Sequence, residues 1–209
     1  RGQGGSSRTA RLPRRGYIRT FDLYLRDLSE FVAHLQDLHP SWQTDRPTVV
    51  AHSMGAHLAL RAAHDFPDRF AALVLSAPML GIVLPGPRRA VRVAVEMLAA
   101  TGQGERFLPG GDEGVGRRFE GNDLTSDRGR FDRYLALLDA QPALITGGAT
   151  VGWLRAALVS LVVTDRPGFA ERISTPSLIF ASALDTLVPP ADIRAFAGRM
   201  PDATFVLVP

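Results

Sequence analysis

Three short apolar runs, residues 48–52, 71–78 and 176–182, constrain this chain more than any other feature. None alternates apolar with polar side chains, so each asks for cover on both faces. Between the first two stand residues 54–65, with Leu58, Ala59, Ala62 and Ala63 on one helical face and Pro67 closing the pattern. Strand, helix, strand of this kind builds a parallel sheet, because the crossover helix supplies the cover. A fourth apolar run, "ATFVLVP", stands at residues 203–209. The predicted fold is α/β with a mostly parallel sheet.

A helix is predicted over 20–38, where Phe21, Tyr24, Leu25, Leu28, Phe31, Val32, Leu35 and Leu38 recur at steps of three and four and Thr20 offers an N-cap. Residues 79–170 change character. Proline and glycine cluster at 81–87 and 102–116, helical patterns run over 88–100, 127–140 and 150–163, and no strand pattern stands between them. This reads as a helical insertion at 79–170 that divides a core into segments 1–78 and 171–209. "PPADIRAFAGRM", at 189–200, reads as a helix opened by proline.

Composition removes several function classes. There is no cysteine among the 209 residues, which excludes disulfides, thiolate catalysis and cysteine zinc sites. No apolar run is long enough to span a bilayer, and a cytoplasmic protein is expected. All 24 basic residues are arginine, set against 21 acidic ones and interleaved with them. The dense stretch Arg8–Arg19 lacks the aromatic interleaving of a single-strand binder, so no nucleic-acid partner is expected. Residues 1–8, "RGQGGSSR", are glycine-rich but follow no strand and carry no G-x-G-x-x-G or Walker pattern. His57 and His64 share a helix face without an acidic partner at H-E-x-x-H spacing. Neither a nucleotide cofactor nor a metal is expected.

Ser53 is the candidate nucleophile. Ala51-x-Ser53-x-Gly55 is a variant of the G-x-S-x-G elbow, a tight strand-to-helix turn that exposes a serine at the carboxyl end of a sheet. Small residues two before and two after are expected to let the backbone fold past itself. The next backbone N–H, on Met54, would point at a developing oxyanion. Five residues alone are a weak signal, since a serine after a strand is also a common helix N-cap. The buried strand before it and the helix after it are what the elbow requires.

Asp185 is the candidate acid. It directly follows the run 176–182 and would lie at the same sheet end, where catalytic groups of open α/β sheets gather. The competing reading is an aspartate that starts a turn before Pro189. A serine also needs a base. The five histidines, His34, His39, His52, His57 and His64, all precede Asp185, and each reads as a packing or solvated side chain. His52 is next to Ser53 and should point to the opposite face of the sheet.

Together "RGQGGSSR", "AHSMGAHLALR", "SAPMLGI", "NDLTSD", "GGATVGWL" and "LDTLVPP" resemble the bacterial lysophospholipase and monoacylglycerol-lipase group of the α/β-hydrolase fold, in order from residue 1 to residue 209. The resemblance implies a core sheet with a helical cap inserted after "LSAP". It implies Ser53 as nucleophile, Asp185 as triad acid, the Met54 backbone as one oxyanion donor, and no cofactor. The implied reaction is hydrolysis of an ester of a single-chain lipid. Leu80, Ile82, Val83, Trp153, Leu154 and Leu158 are candidates to line an apolar acyl tunnel, with ordinary packing as the equal alternative. The first elbow glycine is here Ala51. The family's early strands and second oxyanion donor would precede Arg1, and its triad histidine would follow Pro209. The chain is therefore expected to be a piece of a hydrolase, with little turnover by itself. A peptidase or small-ester hydrolase of the same fold, and a non-catalytic binding protein, remain open. Arg88, Arg89 and Arg92 beside Val91, Val93 and Val95 raise peripheral contact of the cap with an anionic membrane surface.

Overall fold

The computed structural model describes residues 1–12, 14–114 and 116–209. In chain order its main elements are α1 (Asp22–Leu38), β1 (Thr48–His52), α2 (Ser53–Asp65), β2 (Ala72–Ser76), α3 (Arg88–Ala100), α4 (Arg128–Ala140), α5 (Val151–Thr164), β3 (Ser177–Ser182), α6 (Pro190–Ala197) and β4 (Ala203–Val208). The described chain divides into two compact units. One, the sheet unit, comprises Phe21–Leu84 and Val159–Pro209; the other, the helical unit, comprises Arg1–Thr20 and Pro85–Leu158.

In the sheet unit the strands lie in the order β1-β2-β3-β4, and every pairing is parallel. The register sets His52 beside Ser76, Ser76 beside Phe180 and Ser182 beside Val208, so all four carboxyl ends share one edge. Leu73, Leu75 and Ile179 are buried, and α2 buries every residue from Ala56 to Ala63. That is the both-faced cover that the apolar runs demand. Ile193 and Phe196 bury the inner side of α6, which proline opens as expected.

Two expectations change here. β1 is not a buried strand: none of its residues is buried, and Val50 is 80% exposed. Among the described residues β1 pairs with β2 alone. The N-cap of α1 is Phe21 and not Thr20, with no side-chain cap bond. Phe31 and Leu38, periodic in the sequence, are exposed on that helix.

In the helical unit, residues 1–20 group with 85–158 and not with the sheet. The reason is backbone pairing. Gly16 bridges Ala149, its N–H donates to the Gly148 carbonyl (3.2 Å), and the Thr150 N–H returns a bond to the Gly16 carbonyl (3.0 Å). Gly147 N–H also donates to the Arg14 carbonyl (2.7 Å). The far boundary likewise falls inside α5, at Leu158, ahead of residue 170. Asp127 caps α4 by accepting from the Arg130 N–H at 2.9 Å, and the Thr150 hydroxyl accepts from the Trp153 N–H at the start of α5 (3.3 Å). Among the described residues no helix is long and apolar enough to cross a membrane.

Candidate functional site

Ser53 is the first residue of α2 and directly follows β1, with φ at 49°. An L-residue in the left-handed region is strained, by about 1 kcal/mol or more, and persists only where its surroundings hold it. The hold is visible: the Met79 N–H donates to the Ser53 carbonyl at 3.1 Å. Ala77, just past β2, is the other non-glycine residue at positive φ among the described residues (43°). Met54 lies in the first turn of α2, where an amide has no intrahelical acceptor. Gly55 corrects the steric expectation, because a Cβ there would meet nothing within 4 Å. The unusual backbone sits on the serine itself.

Asp185 lies just beyond β3. Its Oδ1 accepts from the N–H groups of Leu187 and Val188, both at 2.8 Å. That is the turn role weighed for it in the sequence. It leaves Oδ2 with no hydrogen bond among the described residues. β1 and β3 are separated by β2 alone, so Ser53 follows a strand roughly 10 Å from the one that Asp185 follows.

One stretch spans that gap, and sequence reasoning did not find it. Residues 79–83 begin with the Met79 bond to Ser53 and end with the Val83 N–H donating to the Leu187 carbonyl at 3.0 Å. Gly81 lets this strap lie close. A Cβ there would run into the Asp192 carboxylate and come within 3.2 Å of the Pro189 ring. The available signal was the "PMLGI" segment, whose glycine interrupts an apolar run.

The histidines have definite partners. His52 Nδ1 lies 3.1 Å from the Ser76 carbonyl and 3.3 Å from its hydroxyl, turned to the neighbouring strand. His64 pairs with Asp65 (2.9 Å) and stacks on Phe169 at 4.0 Å between ring centres. His39 stacks on Trp42. His57 differs most from expectation: it is fully buried, and its Nε2 lies 2.6 Å from the Ser160 hydroxyl. The chain therefore holds a serine–histidine pair that the sequence reading did not anticipate. Arg61 donates to the same hydroxyl at 3.0 Å and to Asp22 at 2.9 Å. Arginine only donates, so the Ser160 hydroxyl accepts from Arg61 and shares a second hydrogen bond with His57 Nε2. The fold holds the His57 ring neutral. Burial first, and then the Arg61 charge, lower its pKa from 6.5 to about 3, against a weaker opposing effect of the Met79 backbone. No histidine hydrogen-bonds to Ser53 or Asp185 among the described residues.

The six candidate acyl contacts divide by burial. In the sheet unit Leu80 is buried, Ile82 half-buried and Val83 exposed. In the helical unit Leu154 and Leu158 are buried and Trp153 is half-buried. Leu80, Ile82 and Val83 all belong to the strap. Among the described residues no group of three His, Asp or Glu side chains is placed to hold a metal.

Comparison with known proteins adds the family. A family model described as serine aminopeptidase, S33, matches residues 1–209. A protein named probable lysophospholipase L2, from Haemophilus influenzae, is 28% identical over 97% of this chain and 62% of its own length. Lysophospholipase L2 of Escherichia coli K12 is 32% identical over 77% of this chain and 46% of its own length. The chain thus spans about half of these curated relatives. The crystal structure of the Paleococcus ferrophilus monoacylglycerol lipase superposes with a TM-score of 0.69 at 18% identity, over 99% of this chain and 70% of that one. At that identity the likeness shows the fold, which is the α/β-hydrolase fold.

Proposed function

The chain belongs to the serine aminopeptidase, S33 family, and on that premise we propose a serine hydrolase that cleaves a carboxylic ester of a single-chain lipid, a lysophospholipid or a monoacylglycerol. The carrying observation is the positive φ of Ser53 at the carboxyl edge of the sheet, two strands from Asp185. Ser53 Oγ attacks the ester carbonyl, and the Met54 N–H stabilises the oxyanion. An imidazole takes the Ser53 proton and passes it to the leaving alcohol, while Asp185 Oδ2 orients that imidazole. Water then opens the acyl-serine and releases the fatty acid. The relatives named as lysophospholipases support the lipid ester as substrate. Leu80, Ile82 and Val83 of the strap are the proposed acyl contacts within the sheet unit.

The family description favours one rival, a peptidase. Product release by the active protein from a lysophosphatidylcholine, a monoacylglycerol and an amino-acid amide separates the two. We expect the lipid esters to be cleaved fastest, and a preference for the amide would overturn the reading. Asp185 gives a second test. Asp185→Asn keeps the Oδ1 acceptor for Leu187 and Val188 but removes the charge. It should lower kcat/KM by about 10³-fold or more with an unchanged unfolding midpoint. Asp185→Ala should lower both.

Peripheral lipid contact belongs to the same reading. Val93 and Met97 are 57% and 66% exposed on α3, whose first two turns carry Arg89 and Arg92 and no acid. Binding to phosphatidylglycerol vesicles should weaken with rising salt and with Arg92→Glu. Equal binding of the variant would refute it.

A further inference from the structure

The helical unit contains a cleft of about 480 Å³ whose polar lining is Arg11, Tyr17, Arg19, Glu96, Glu105 and Arg155. The geometry points to a second ligand site here, for a phosphoryl oxyanion, and this inference stands independently of the hydrolase reading.

The charges decide the sign. Glu96 is neutralised by Arg155, whose Nε lies 2.6 Å from its carboxylate. Both oxygens of Glu105 face the backbone N–H of Arg11 at 3.2 Å, and its carbonyl accepts from Arg15 Nη1 at 2.6 Å. Those bonds fix Glu105 in the wall and leave one carboxylate charge. Against it stand the guanidinium groups of Arg11 and Arg19. Neither makes an ion pair or a side-chain hydrogen bond among the described residues, and the same holds for the Tyr17 hydroxyl. The cleft therefore keeps a net positive charge and an excess of unused donors.

The walls are built rather than incidental. Gly152, in the first turn of α5, lies under the Tyr17 ring so closely that a Cβ there would enter the ring and sit 2.9 Å from the Gly104 carbonyl. The Gly152 N–H donates to that same carbonyl at 2.8 Å. The Thr9 hydroxyl donates to the Tyr17 carbonyl at 3.0 Å. Tyr17 is thus fixed from both sides, with its hydroxyl unused.

Two guanidinium forks and a phenol offer more donors than the two oxygens of one carboxylate can accept. A phosphoryl group, with three or four oxygens in a tetrahedron, uses them better. The ligand is either a phosphate ester, such as a glycerophosphate headgroup, or free phosphate.

Calorimetric titration of the full chain with inorganic phosphate, glycerol 3-phosphate and acetate tests this. Saturable binding of both phosphates, with acetate clearly weaker, is expected. Tighter binding of glycerol 3-phosphate identifies an ester headgroup, and equal affinity identifies free phosphate. Arg11 and Arg19 are exposed, so substituting them should leave the fold intact. Arg19→Ala and Arg11→Ala should each weaken phosphate binding about tenfold, and Arg19→Lys should fall between. Absence of saturable phosphate binding, affinity indifferent to both alanine variants, or acetate binding as well as phosphate would each overturn the inference.

Discussion

Replacing Ser53 with alanine in the active protein should lower lipid-ester hydrolysis by about 10⁴-fold or more, leaving only the rate that binding and the oxyanion donor sustain. The structure adds a signature that nucleophile loss alone does not have. Ser53 holds φ at 49°, a conformation that glycine adopts without cost and alanine does not. Ser53→Gly should therefore be as inactive as Ser53→Ala yet more stable than it, by about 1 kcal/mol in chemical denaturation. Opposite movements of activity and stability at one residue are expected where strain presents a reacting group. Ser53→Ala with full activity would dismiss the nucleophile. Ser53→Gly no more stable than Ser53→Ala would dismiss the strain.

The residues differ in how openly the sequence announces them. β3 at Ser177–Ser182 and α3 at Arg88–Ala100 were readable almost to the residue, since apolar run length, helical period and flanking proline are all local. Ser53 was readable for the same reason, because strand, small residues and helix are contiguous. The exposure of β1 was not. Its apolar run fits a central strand, and its exposure depends on what lies against it. The grouping of residues 1–20 with the helical unit was hidden because it rests on main-chain bonds through Gly16, Gly147 and Gly148, which carry no side-chain pattern. The His57–Ser160 pair joins residues 103 apart in sequence. Its one local hint was a serine inside the apolar run "AALVSLVV", because a buried hydroxyl must find a partner. That hint names the need but not the histidine that meets it.

The same pair carries the largest expected effect on stability. In the unfolded chain His57 titrates near 6.5, whereas in the fold its pKa is lowered to about 3. The fold therefore favours the neutral ring. That contribution is fully present above pH 6.5 and is lost as pH falls toward 3, because the unfolded state takes up the proton first. Between pH 7 and pH 4 the loss should be about 3 kcal/mol. The groups around the ring supply little relief beyond the weak opposing effect of the Met79 backbone. Arg61, on the same helix, is cationic; Ser160, from α5, is hydrogen-bonded to both Nε2 and Arg61; Phe21 presents a ring edge; and Asp22 faces Arg61 from the solvent side. Surface carboxylates also destabilise the fold in acid, so the informative quantity is a difference. His57→Gln keeps a hydrogen-bond partner for the Ser160 hydroxyl but has no proton to gain. It should be less stable than the parent at pH 7, through lost packing, and the gap should close as pH falls to 4. Urea unfolding at several pH values measures it directly. A gap that stays constant would mean that His57 is not held neutral by its burial. A gap that closes would tie the acid limit of the fold to the contact that anchors α2, the helix that opens at Ser53, to α5.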